Sequence, residues 1–111
     1  MDDTINFDDF SKVDLRVGTI IDVQDFPEAR NPAYQLTMDF GDLGIKKSSA
    51  QITALYSKTE LLNRQIVAVV NFPKKQIAKF MSECLVLGVV KGQKVILLNP
   101  ETKVRNGSIV S

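Results

Sequence analysis

The chain has 111 residues, 44% hydrophobic and 24% charged, which fits one globular domain over 1–111 and leaves no room for a second independent core. It contains no histidine and no apolar run near the roughly 20 residues of a membrane span, so membrane insertion, an imidazole general base, a Ser-His-Asp triad and the usual transition-metal site are not expected. The net charge of +1 hides a split: residues 1–28 carry eight acids against Lys12 and Arg16, net −6, and the rest carries twelve bases against five acids, net +7.

Met1-Asp2-Asp3-Thr4 is acidic where a signal peptide would be positive and then apolar, so secretion through such a leader is not expected. Asn6 before Phe7-Asp8-Asp9-Phe10 reads as an N-cap followed by acids in a first turn. A short helix or turn is predicted over 6–11, with Phe7 and Phe10 pinning it to the body. From Val13 the apolar residues Val13, Leu15, Val17, Ile21 and Val23 share one parity, while Asp14, Arg16, Asp22 and Gln24 share the other. That period of two predicts a half-buried strand, with Gly18 as the site of a bulge. Phe26 to Pro32 is a loop, and Tyr34, Leu36, Met38 and Phe40 alternate into a second strand.

Gly41-Asp42-Leu43-Gly44 turns the chain into a third strand near 45–50, polar on both faces, hence an edge or a functional surface. Ser57-Lys58-Thr59-Glu60 matches a capping box, so helical turns are predicted within 51–63. Ile66–Val70 reads as a buried strand, Leu85–Val90 and Val95–Leu98 as two more, and Asn99 onward as turns with an apolar end at Ile109-Val110. Strands in this order, with helical turns after the third, predict an all-β fold. The architecture expected is a five-stranded OB-fold Greek-key barrel with short helical turns and N- and C-terminal extensions.

No nucleotide-binding glycine loop is present, and the N-terminal carboxylates lack environments that would separate two pKa values, so the chain reads as a binder without catalysis or cofactor. The single cysteine, Cys84, fits a reducing cytoplasm and reads as a small strand residue. The basic stretch Lys74, Lys75 and Lys79, flanked by Phe72 and Phe80, offers cations and aromatic faces to phosphate, a nucleobase or an acidic peptide. The alternative is that the phenylalanines are core and the lysines keep a turn soluble. Arg16 reads either as a structural ion pair with Asp14 or as a planar donor fork, and Ser48, Ser49 and Gln51 supply neutral donors and acceptors. Ser82-Glu83 reads as a binding pair or as a cap on the preceding turn.

Phe10, Asp14-Leu15-Arg16-Val17-Gly18, Phe26-Pro27-Glu28-Ala29, Asn71 and Ser82-Glu83-Cys84-Leu85 together resemble the OB-fold tRNA-binding domains found at the C-terminus of methionyl-tRNA synthetases and in free-standing tRNA-binding proteins. Lys47-Ser48-Ser49-Ala50-Gln51-Ile52-Thr53 and Val69-Val70-Asn71-Phe72-Pro73 are more closely similar to secretion chaperones of the CsaA type. That resemblance implies a cytoplasmic homodimer that binds unfolded preproteins or peptides and assists export, with tRNA as the alternative partner. It also implies a binding surface of Arg16, Lys47, Ser48, Gln51, Asn71, Phe72, Pro73, Ser82 and Glu83, to which the basic stretch adds Lys74 and Lys75. The chain departs from the family at Lys74, where a second proline is usual, and at Lys79, where glycine or proline is. Both departures add positive charge.

Overall fold

A computed structural model describes residues 3–111; Met1 and Asp2 of the acidic start lie outside the described residues. One long strand, β1 (Leu15–Asp25), organises the molecule. Its second half pairs antiparallel with β2 (Tyr34–Asp39), and its first half pairs with β4 (Gln65–Val69). β3 (Ile45–Ala50) continues the sheet beyond β2, and β7 (Leu85–Val86) continues it beyond β4. The order β3-β2-β1-β4-β7 curls until the Ser82–Cys84 segment meets β3, giving a nearly closed five-stranded OB-type barrel.

The sheet curls at a bulge in β1, where the pairing with β2 shifts register between Ile20 and Asp22. This corrects the expected inward parity. Before the bulge the barrel-facing positions are Gly18 and the fully buried Ile20; the extra residue moves every later side chain to the opposite face, so Ile21 is 44% exposed and Val23 lies in the core. Gly18 is not the bulge. It lies opposite Ile66, and a Cβ there would come within 2.6 Å of the Phe40 ring. Val13 is exposed, and Val17 is buried on the face opposite Gly18, beneath a C-terminal segment that exchanges backbone hydrogen bonds with it through Gly107 and Ser108.

Leu36, Met38 and Phe40 alternate into the core as predicted, and with Ile20 and Ile66 they fill the barrel. The end is plugged by α2 (Lys58–Leu61), whose Leu61 is fully buried. Its start is fixed by the predicted capping box: Ser57 Oγ accepts from the Glu60 backbone N–H, and the Glu60 carboxylate accepts from the Ser57 N–H. The same device at Asn6 and Asp9 opens α1 (Phe7–Ser11). Phe7 and Phe10 do not pin that helix to the core. Both are exposed, at 75% and 36%, and they contact each other with ring centroids 6.5 Å apart.

The basic stretch is not a simple turn. It forms a hairpin of β5 (Lys75–Ile77) and β6 (Phe80–Ser82), connecting the fourth and fifth barrel strands. Nor is Leu85–Val90 one strand. The chain breaks at Leu87, and β8 (Gly88–Lys91) leaves the barrel to form a two-stranded ribbon with β9 (Lys94–Leu97), exposing Val89 and Val90. The apolar end, β10 (Ile109–Val110), pairs with the start of β1.

Candidate functional site

The β5–β6 hairpin turns through Ala78-Lys79, with Ala78 at φ +53°, a left-handed conformation, and Gln76 Nε2 donating to the Ala78 carbonyl at 3.1 Å. Phe80 is only half-buried; its ring packs tilted on buried Phe26, centroids 5.3 Å apart, which ties the hairpin to the loop between β1 and β2. These two connections flank the ligand surface in OB folds generally. The chain after β6 is sewn to the edge of β3. The Glu83 N–H donates to the Lys47 carbonyl at 2.7 Å, and the Lys47 N–H donates to Glu83 Oε1 at 3.0 Å. The Ser49 N–H donates to Ser82 Oγ at 3.2 Å, and Ser48 Oγ donates to the Cys84 carbonyl at 2.9 Å.

Between this seam and the hairpin lies an open groove of about 670 Å³, lined by Phe72, Pro73, Lys74, Lys75 and Gln76 on one side and Ser82, Cys84 and Leu85 on the other. Phe72 is 53% exposed, so it is groove surface and not core. Leu85, 49% exposed, completes the apolar floor. Lys74 Nζ stands 3.6 Å from Glu83 Oε2, while Lys75 and Lys79 make no ion pair among the described residues. The rim is therefore positive with one carboxylate set into it. Burial pushes the Cys84 thiol up to about 12, so no thiolate is available as a nucleophile at neutral pH. Among the described residues no group of three or more His, Cys, Asp or Glu side chains is placed to hold a metal ion.

The remaining sequence-derived candidates lie elsewhere. Lys47 is exposed on β3 beside the Glu83 seam, but Ser48 is 1% exposed and faces the barrel interior. Arg16 and Asn71 border a separate cleft beside α1 and β10. Arg16 Nε lies 2.6 Å from Asp14 Oδ1 and its Nη1 donates to the Gly107 carbonyl at 3.0 Å. Asn71 Oδ1 accepts from the Asp14 N–H at 3.0 Å, and its Nδ2 donates to the Lys12 carbonyl at 2.6 Å. These two side chains hold the terminal extensions onto the barrel. Gln51 lines a third cleft, against the β8–β9 ribbon. The sequence reading did not single out Leu85 for the groove. Its position two residues after Glu83, in the stretch Ser82-Glu83-Cys84-Leu85, is the signal that points to it.

The family model for the tRNA binding domain matches residues 15–109. The chain belongs to the tRNA-binding domain family. Within it, the crystal structure of the chaperone CsaA from Bacillus anthracis superposes with a TM-score of 0.93 at 51% identity, covering 97% of this chain and 99% of that one. The CsaA chaperone of Picrophilus torridus superposes at 0.92 with 54% identity, covering 97% of this chain and 100% of that one. The methionine–tRNA ligase of Pyrococcus abyssi is 39% identical over 106 residues, 96% of this chain. The chain spans only 14% of that ligase's length. No helix among the described residues is long and apolar enough to cross a membrane.

Proposed function

We propose that this protein is an export-related chaperone of the cytoplasm that binds unfolded preproteins or peptides in the groove between the hairpin and the β3 seam, without catalysis. The observation that carries this reading is the apolar floor of Phe72 and Leu85, open to solvent under a rim of lysines. Exposed apolar surface of this kind, rimmed by polar groups, is a mark of interaction sites. An unfolded segment places apolar side chains on that floor, while Lys74 and Lys75 favour segments with acidic residues. Similarity to CsaA chaperones over their full length supports the same choice.

The protein acts as a homodimer in this proposal. The α1–β10 cleft, about 470 Å³, sits among exposed apolar residues, with Ile5 at 68%, Phe7 at 75% and Ile109 at 70%. A second copy covers them. Sedimentation of the parent as a dimer and of Phe7→Asp as a monomer is the expected result; a monomeric parent at high micromolar concentration refutes it.

A second reading, tRNA binding, is favoured by Lys74, Lys75 and Lys79, which stand within residues 71–80 without an acid. Similarity to methionine–tRNA ligases adds to it. Competition at two salt concentrations separates the readings. Labelled unfolded polypeptide that stays bound against tRNA at both concentrations, and is lost on Phe72→Ala, is the outcome the chaperone reading requires. Displacement by tRNA at low salt only makes the lysine rim the working surface, because counterion release dominates lysine–phosphate contacts.

A further inference from the structure

The turn before β10 reads Arg105-Asn106-Gly107-Ser108. In an Asn-Gly step no side chain shields the glycine nitrogen, which can attack the asparagine carboxamide. The fold treats the two reacting groups differently. Asn106 Oδ1 accepts from Thr19 Oγ1 at 2.6 Å and from Gln65 Nε2 at 3.1 Å, while its Nδ2, the leaving group, has no hydrogen bond among the described residues. Two donors on an oxygen that turns into an oxyanion lower the barrier to attack at its carbon. The nucleophile, by contrast, is withheld. The Gly107 N–H donates to the Val17 carbonyl at 2.7 Å, and Arg16 Nη1 donates to the Gly107 carbonyl at 3.0 Å. Thr19 and Gln65 face each other across β1 and β4, so the barrel wall itself grips the carboxamide. Gly107 is held with the C-terminal extension, whose β10 supplies only two paired residues. A segment with so few bonds opens locally, well below the free energy of global unfolding. Peeling from β10 back to Gly107 therefore frees the nitrogen while Thr19 and Gln65 still hold Asn106.

We propose that Asn106-Gly107 is a gated self-modification site, shut while the extension lies on β1 and converted to isoaspartate when it lifts. The Gly107 nitrogen gives its proton to hydroxide and bonds to Asn106 Cγ; the Cγ–Nδ2 bond breaks and ammonia leaves. Water then opens the five-membered imide at either carbonyl, giving aspartate or isoaspartate, with no oxidation or reduction. The two products differ in what they do to the fold. Aspartate keeps an acceptor oxygen for Thr19 and Gln65. Isoaspartate adds a methylene to the main chain, and the turn has no room for it: a Cβ on Gly41 would collide with the Asn106 carbonyl, and one on Gly107 would meet the Phe40 carbonyl at 2.5 Å. The extension therefore does not redock. Ile109 belongs to the apolar face proposed for a second copy, so the isoaspartyl form loses that contact; this consequence alone rests on the homodimer reading.

The test is peptide mass spectrometry of the full chain aged in mildly alkaline buffer, native and in denaturant, with melts confirming that each native sample stays folded. It compares the parent, Arg16→Ala and Thr19→Val. Arg16→Ala loosens the gate and is expected to convert Asn106 at least about fivefold faster than the parent, the factor for one lost hydrogen bond. Thr19→Val keeps the side-chain shape and removes one donor from the carboxamide oxygen, so it is expected to convert at least about fivefold more slowly. In denaturant all three are expected to convert at one rate. A role for Thr19 in mere rigidity gives the opposite sign, so a Thr19→Val rate equal to or above the parent's overturns the inference. An unchanged rate in Arg16→Ala, or differences that persist in denaturant, overturns it as well. Hydrogen exchange reads the product: the isoaspartyl fraction is expected to exchange the Ile109 and Val110 amides faster than the parent, and Asn106→Asp to match the parent. Equal exchange in the isoaspartyl fraction overturns the failure to redock. None of these readouts depends on the homodimer reading, whose own failure is a monomeric parent.

Discussion

Glu83 joins the barrel seam to the groove, and its two oxygens do different work. Oε1 accepts the Lys47 backbone N–H at 3.0 Å, and Oε2 lies 3.6 Å from Lys74 Nζ; the Glu83 side chain is only 24% exposed. Glu83→Ala leaves the Lys47 N–H without its charged acceptor, which costs about 1.5–3 kcal/mol for a hydrogen bond to a charged group. At about 4 °C per kcal/mol for a domain of this size, the midpoint falls by about 6–12 °C. The same substitution frees Lys74 and raises the positive charge of the rim. Glu83→Gln separates the two effects, because the amide oxygen still accepts from Lys47 while the charge facing Lys74 is gone. Glu83→Gln is therefore expected to melt within about 4 °C of the parent, a loss below about 1 kcal/mol, yet to bind tRNA with a steeper salt dependence, as Glu83→Ala does. Melting by circular dichroism and anisotropy over a salt series read the two quantities. An alanine variant as stable as the parent, or a glutamine variant as unstable as alanine, refutes the reasoning.

The Cys84 thiol, held neutral by burial with its pKa at about 12, is expected to resist a disulfide reagent at pH 8 in the folded protein and to react fully once denaturant is added; stoichiometric reaction within the mixing time of the native protein would contradict this. Because the same thiol ionises near 8.5 in the unfolded chain, its contribution to stability is expected to fall as pH rises above that value, and Cys84→Ser removes this alkaline dependence from denaturant midpoints. At the acid end, the Ser57 backbone N–H holds the Glu60 carboxyl below its ordinary value. Its contribution is present in full above about 4.3, the unfolded value, and is lost as pH falls through the lower folded value. A pH series of melting midpoints that is flatter for Glu60→Gln across that window is the expected outcome.

The features legible in the sequence are those decided by near neighbours. The N-cap at Asn6 and the capping box from Ser57 to Glu60 were readable because each is closed within four residues, and the structure adds that Asp9 completes a box with Asn6 as well. β2 was readable because one strand face is buried throughout and no bulge interrupts Tyr34 to Phe40. The parity of β1 was not, because its bulge at Ile21 is set by the curl needed to reach β4 and β2 from one strand, a demand of closure. The β5–β6 hairpin escaped notice since Lys75-Gln76-Ile77 is short and polar and its turn carries Ala78 where glycine or asparagine signals a hairpin. In the groove, Phe72, Pro73, Lys74, Lys75 and Ser82 are contiguous or nearly so and were found together. Ser48 looked like a surface donor, but the Ser82–Cys84 segment crosses its strand and buries it, a contact 36 residues distant in sequence.

The placement of apolar surface bears on how a single small barrel holds an unfolded chain. The exposed apolar residues at Ile5, Phe7 and Ile109 belong to the terminal extensions, whereas Phe72 and Leu85 belong to the groove. If the terminal set is covered by a second copy, as proposed, the groove set remains open on each protomer, and one assembly presents two grooves. A flexible segment long enough to span both meets the second groove at an effective concentration on the order of millimolar, which multiplies affinity by about 10²–10⁴ without any new contact. A short peptide, unable to span, gains nothing. Affinity rising sharply once the ligand exceeds a threshold length, and Phe7→Asp abolishing that rise while leaving short-peptide affinity intact, is therefore the behaviour expected of a dimeric binder. A length-independent affinity in a proven dimer means that the two grooves do not share a client.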